Sequence, residues 1–195
     1  MPDSFPPWRT VYTYYWLWTR CGLWTQINTA LVEQVRKKSG RRAQPMAQPL
    51  ERAARPQRAT CAAIIDSQSV KTSDGPSKGH LGGEQRGVDV HKQTPGRKRH
   101  IITDTLGLIL FVMVHSAGIQ DGLGGRLVLQ GLFDRIKGVS NNLHTRLTTI
   151  WADGAYAGIV EWVKLMLGWT LEIVLRPAKA KGWIVLPRRW VIERT

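Results

Sequence analysis

The sequence predicts an α/β protein in which a mixed sheet is flanked by helices and preceded by a short helical segment. Three observations carry the prediction. From residue 61 onward, apolar runs of strand length alternate with stretches of helical period. Within that region RKRHIITDTLGLILFVMVHSAG reads as two strands that turn back around Leu106-Gly107. The first forty residues, by contrast, carry helical period alone. Three strands followed by helix, strand, helix, strand and helix are most economically built as one mixed sheet with helices against it.

Residues 1–40 read as two helices. Pro6-Pro7 opens the first, Gly22 closes it, and Trp8, Tyr12, Tyr15, Trp16 and Thr19 keep helical spacing. The second spans about 24–38, with Trp24, Ile27, Leu31 and Val35 on one stripe. Arg36, Lys37 and Lys38 stand at its C-terminal end, where the helix dipole favours cations. An aromatic stripe at this spacing is expected to be core rather than a base-stacking surface. Residues 41–60 lose periodicity and combine Pro45, Pro49 and Pro56 with Arg41, Arg42, Arg52, Arg55 and Arg58, the composition of a basic linker able to follow a phosphate backbone.

The first strand, 62–71, holds Asp66 in its middle. Residues 73–96 read as a Gly-rich polar loop whose glycines match neither a P-loop nor a dinucleotide fingerprint. The hairpin pairs 99–104 with 108–115, and its second arm is so apolar that cover on both faces is expected. Asp121 caps a helix running to about Ile136, with Leu123, Leu127, Leu132 and Ile136 as its apolar face. A strand at 147–152 ends on Asp153-Gly154, a helix follows at about 158–167, and another strand at 170–175. A basic loop with Arg176, Lys179, Lys181, Arg188 and Arg189 leads to WVIERT, which begins a helix.

Charge is the informative bulk quantity. Lys and Arg number 28 against 14 Asp and Glu, a net charge of +14, and such a balance points to a polyanion such as nucleic acid. Cys21 and Cys61 stand far apart with no CxxC, so neither a zinc ribbon nor a disulfide framework is suggested and a reducing cytoplasm is expected. No apolar run approaches the roughly 20 residues of a spanning helix, and no membrane role is expected.

An ionised carboxylate inside an apolar strand is costly unless a cation compensates it. Asp66 is such a residue, and Asp153 and Glu193 stand in similar settings. If the first and fourth strands are neighbours, Asp66 and Asp153 converge, and hard oxygen ligands of this kind suit Mg2+ or Mn2+. Two such ions about 4 Å apart form an arrangement that serves phosphodiester chemistry. Asp104 and Asp121 are expected to serve a turn and a helix cap, Asp74 is set aside with them, and Asp89 has no such ready explanation. His80, His91, His100, His115 and His144 lack zinc spacing. Arg97, Lys98, Arg99 and His100 form a cluster expected to touch phosphate.

IIDSQSVKT around Asp66, the GRKRHIITDTLGL hairpin, WADGAY around Asp153 and RRWVIERT around Glu193 resemble, in content and order, the DDE transposases of bacterial insertion sequences. The catalytic domain of that family has the ribonuclease H fold. The resemblance runs from about residue 61 to the C-terminus, and PPWRTVYTYYWLWTRCGLWTQI resembles the end of the helical region that precedes it. It implies a partial helical region at 1–40, a linker at 41–60 and a catalytic domain at 61–195.

The resemblance further implies that Asp66, Asp153 and Glu193 are the metal-binding carboxylates, holding two Mg2+ or Mn2+ ions. Arg189 matches the arginine four positions before the glutamate, while the tyrosine of that pattern is replaced by Leu186. Arg188 joins the hairpin cluster as an expected DNA contact. The implied partners are the terminal inverted repeats of an element and its target DNA, bound by a homodimer or higher oligomer in a bacterial cytoplasm at the nucleoid. Because Glu193 stands two residues from the end of the sequence and the first helices begin abruptly, truncation at both ends is expected. The alternative function is accordingly an inactive remnant that retains only DNA binding.

Overall fold

A computed structural model describes residues 4–43, 47–48, 61–72, 86–139, 144–145, 147–175 and 190–193. The chain divides into two compact units, Met1–Gln44 and Pro45–Thr195.

The first unit is a helical hairpin. Helix α1 spans Trp8–Arg20 directly after Pro7, and α2 spans Leu23–Lys38. The elbow between them needs Gly22, whose φ of 69° is left-handed. Trp24 closes the hairpin edge-on against Trp18, with ring centroids 5.3 Å apart. The expectation that the aromatic stripe is core does not hold: Trp8 is 63% exposed, and Tyr12, Tyr15 and Trp16 are also exposed. Trp24, Ile27, Leu31 and Val35 are exposed as well, and α2 buries Val32 and Arg36 instead. The reason is geometric, since two helices alone supply no third layer to enclose a stripe this wide.

The second unit is built on a sheet of six strands: β1 Cys61–Lys71, β2 Gly87–Asp89, β3 Thr94–Asp104, β4 Ile109–Ser116, β5 Leu147–Ala152 and β6 Thr170–Ile173. Across the sheet the order is β4-β3-β1-β5-β6, and β2 shares the outer edge of β3 with β4. Strand β3 runs antiparallel to β1 and β4, whereas β5 is parallel to both β1 and β6. A small antiparallel pair, Ala47–Gln48 with His144–Thr145, lies apart from this sheet. The predicted α/β architecture of a mixed sheet flanked by helices is therefore present, and it is consistent with the ribonuclease H-like fold.

Helix α3, Asp121–Val139, packs on one face of the sheet. Ala63, Ile65, Ile102, Leu129, Leu132, Ile150 and Trp169 form the core there, each at most 2% exposed. A mixed helical segment follows β5, made of a 3-10 stretch Gly154–Ile159, an α turn Val160–Trp162 and a π turn Val163–Leu167. It adds Tyr156, Val163 and Leu167 to the same core. The opposite face carries a smaller cluster in which Val191 and Ile192, from the turn Trp190–Glu193, pack on Ile64 beside Ile101 and Trp151. Among the described residues no helix is long and apolar enough to cross a membrane.

Three expectations change. The region 73–96 was expected to be loop, yet β2 and the start of β3 form a hairpin within it, turning through Gln93 at φ 47°. Strand β4 is not covered on both faces, because Val112 and Val114 are 43% and 48% exposed on the side away from α3. The buried stripe of α3 runs through Val128, Leu129, Leu132 and Ile136, leaving Leu123 and Leu127 exposed.

Candidate active site

Strand alternation decides what each side chain of β1 can reach. Ala63 and Ile65 enter the core under α3, while Ile64 points to the opposite face, toward Val191 and Ile192. Asp66 follows Ile64 by two residues and so shares its face. On the parallel neighbour, Ile64 is in register with Trp151. Asp66 and Asp153 each follow this pair by two residues, Asp66 within β1 and Asp153 one residue past the end of β5, where the two strands part.

Each carboxylate is fixed by local backbone. Asp66 is half-buried, and its Oδ1 accepts from the N–H of Ser67 at 2.8 Å. Asp153 is also half-buried, and its Oδ1 accepts from the N–H of Ala155 at 2.9 Å, capping the 3-10 stretch. Their charge is felt at Tyr156. Burial, followed by the negative charge of Asp66 and with Asp121 and Asp153 adding to it, pushes the Tyr156 phenol well above its usual range. The backbone of Glu193 ends the turn that Val191 and Ile192 seat on Ile64. Its side chain lies outside the described residues, as do Arg188 and Arg189.

The donors present are of the type that suits a hard divalent cation: one carboxylate on β1 and one just past the end of the parallel β5, with backbone N–H groups orienting one oxygen of each. Among the described residues no three His, Cys, Asp or Glu side chains form a metal cluster.

The basic cluster of β3 is divided by the pleat. Arg99 is exposed on the Asp66 face, where its Nε donates to Gln68 Oε1 at 2.9 Å, and Arg97 is half-buried on the same side. Lys98 and His100 point the other way, under α3, at 3% and 0% exposure. The expectation that all four contact phosphate is corrected for these two, because period-two alternation sends every second residue inward.

Inside, they organise a polar network that includes Asp121, expected only to cap its helix, and Asp89, for which no role was expected. The Lys98 ammonium donates to Asp121 Oδ1 at 2.9 Å and to the Ile119 carbonyl at 3.0 Å, and pairs with Asp89 Oδ2 at 3.3 Å. Asp121 Oδ1 also accepts from Ser67 Oγ at 2.9 Å. Burial opposes its charge, but the hydrogen bonds from Lys98 and Ser67 outweigh that and hold the carboxyl below its usual value. Asp89 accepts from Ser69 Oγ and from the N–H groups of His91 and Lys92. The Ser69 bond is the largest cause holding the Asp89 carboxyl down at about 2, against the opposing effect of burial.

His100 completes the interior. Its Nδ1 meets Tyr156 Oη at 3.1 Å, and burial, with His115 beside it, brings its pKa down to about 4. The Nε2 atoms of His100 and His115 converge on Gly124, where a Cβ would lie 2.5 Å from one and 2.6 Å from the other, so only glycine lets α3 approach this closely. Asp104 does serve the β3–β4 turn, accepting from the N–H groups of Leu106 and Leu108 at 2.8 and 3.0 Å.

The fold is consistent with a class, the ribonuclease H-like domains. The family follows from comparison of the sequence: the family model Transposase DDE domain matches residues 57–195, and the chain belongs to that family. Comparison with curated proteins and with solved structures gives no match.

Proposed function

We propose that this transposase is an active bacterial insertion-element enzyme that cleaves DNA strands at the element ends and joins them to target DNA. The observation that supports it best is that Asp66 and Asp153 each follow by two residues the in-register pair Ile64 and Trp151, which shares a sheet face with the turn carrying Glu193. Asp66, Asp153 and Glu193 would hold Mg2+ or Mn2+, as two ions. Bound there, such ions supply Lewis-acid activation of an attacking oxygen and neutralise charge on the leaving oxygen.

The protein's own contribution is placement. Ser67 and Ala155 orient the two aspartates through their N–H groups. Arg99, exposed on the Asp66 face of the sheet, and Arg97, further along the same side of β3, would meet a DNA backbone, and Arg188 and Arg189 are further candidate DNA contacts, with Arg189 the candidate for orienting Glu193. Water attack on a phosphodiester frees a 3′ hydroxyl, which then attacks target DNA in line. Both steps move a phosphoryl centre between oxygens, so one site serves both. The substrates are terminal inverted repeats and target DNA, bound by a dimer or higher oligomer at the nucleoid.

The test is strand cleavage of supercoiled DNA carrying the element ends, in Mg2+ or Mn2+, comparing the chain with Asp153→Ala. Loss of product by about a hundredfold or more is expected. Equal products from both proteins would overturn the enzyme reading, and DNA binding without cleavage by either would favour a binding-only remnant.

A further inference from the structure

We propose that Lys98 is a positioning residue for the Asp66 and Asp153 pair, acting through two carboxylate–serine clamps on β1. The inference rests on the reading of that pair as a metal-holding site.

The ammonium of Lys98 has three N–H groups and meets three acceptors, Asp121 Oδ1, the Ile119 carbonyl and Asp89 Oδ2, at 2.9, 3.0 and 3.3 Å. It is 3% exposed, so its whole hydrogen-bonding capacity is spent inside the fold. Each of the two carboxylates then takes a hydroxyl from β1, Asp121 from Ser67 and Asp89 from Ser69. Lys98 thereby ties the start of α3 and the turn after β2 to consecutive inward positions of the same strand.

Those positions matter because of what lies on the outward side. Ser67 directly follows Asp66, and its N–H donates to Asp66 Oδ1 at 2.8 Å. The ladder between β1 and β5 ends at the pair Ile64 and Trp151, before Asp66 is reached. From there on, β1 is laddered only to β3, and the clamps supply restraint on the inward face. A rotation of the strand at Ser67 would swing the Asp66 carboxylate that its N–H holds, so fixing Ser67 fixes the direction of Asp66.

The chemistry of the cluster favours this role over simple stabilisation. A buried lysine with two carboxylates gains little over apolar residues of the same volume, because desolvation offsets the attraction. What such a cluster does supply is direction, and groups that orient metal ligands typically change metal affinity 10- to 100-fold when removed.

The experiment measures Mn2+ affinity calorimetrically alongside the thermal midpoint, on the full chain. Wild type is expected to bind Mn2+ and Asp66→Asn to lose that binding. Ser67→Ala cuts the link while leaving Lys98, Asp89 and Asp121 together, and it should weaken Mn2+ binding about tenfold. Lys98→Met should weaken it at least as much, and if that protein does not fold, Ser67→Ala decides. Leu132→Ala, a core truncation away from the clamps, should lower the midpoint and leave the affinity of the folded protein unchanged. Wild-type affinity in folded Ser67→Ala and Lys98→Met would overturn the positioning role while leaving the metal reading standing. Mn2+ binding that is absent, or indifferent to Asp66→Asn, would overturn the metal reading and this role with it.

Discussion

Acidification should destabilise this protein through His100, and the size of the effect follows from its surroundings. The imidazole is fully buried, bonded to Tyr156 Oη, and close to both His115 and Lys98, which keeps it neutral down to about pH 4. In the unfolded chain the same group protonates near 6.5. Between those values the unfolded state holds the extra proton. Stability is therefore full above about 6.5 and falls as the pH drops toward 4, with a slope near 1.4 kcal/mol per pH unit from this group. The gap sets a ceiling of about 3 kcal/mol. Asp89 acts in a separate, lower window, since a carboxyl held at about 2 contributes stability that is lost between the usual carboxylate range and pH 2. Urea unfolding followed by tryptophan fluorescence at pH 7, 6, 5 and 4.5 measures the slope. His100→Phe, which keeps the ring volume and removes the proton site, should flatten it by the same amount. Equal slopes in the two proteins, or a His100 proton resonance titrating near 6.5, would refute the reasoning.

Further expectations concern backbone, interior and surface. Gly96→Ala should lower stability by about 3 kcal/mol, because φ is 155° and a Cβ would collide with the Val70 carbonyl oxygen on the paired strand. A thermal scan would register this as a fall of roughly 6–12 °C. Tyr156→Phe should cost about 1–3 kcal/mol in denaturant unfolding by stranding His100 Nδ1 in the core. The double change Arg97→Ala, Arg99→Ala should weaken binding to DNA of any sequence and reduce the salt dependence of log K by about 2, read from binding isotherms at several salt concentrations.

Much of the sheet was legible because its strands carry their burial in their composition. Strands β1 and β5 lie within a residue of their expected positions, since isoleucine, alanine and leucine runs bounded by polar turns have few other solutions. Strand β2 was hidden, as three residues beside a glycine-rich stretch give no periodic signal. That the strand carrying Asp66 and the strand leading to Asp153 are parallel neighbours was a condition the sequence could state, and the register of β1 on β5 meets it. The interior network was missed for a specific reason. RKRH reads as one basic patch until it is written on a strand, and then Lys98 and His100 fall inward beside Ser67 and Ser69. That alternation was the available signal. The exposed aromatic stripe of the first unit fails in the opposite way, because periodicity reports an apolar face without reporting what covers it.

The register of β1 against its two neighbours also orders events in time. The β3–β4 hairpin joins residues a few positions apart and closes a short loop, which is fast. The pairing of β1 with β5 brings residues 61 and 147 together, the least local contact of the sheet, and its closure entropy must be met before any contact repays it. The strand that carries Asp66 and the strand that leads to Asp153 are therefore expected to join after the β3–β4 hairpin has closed, so a partly folded chain presents Arg97 and Arg99 on a formed hairpin before β1 and β5 are paired.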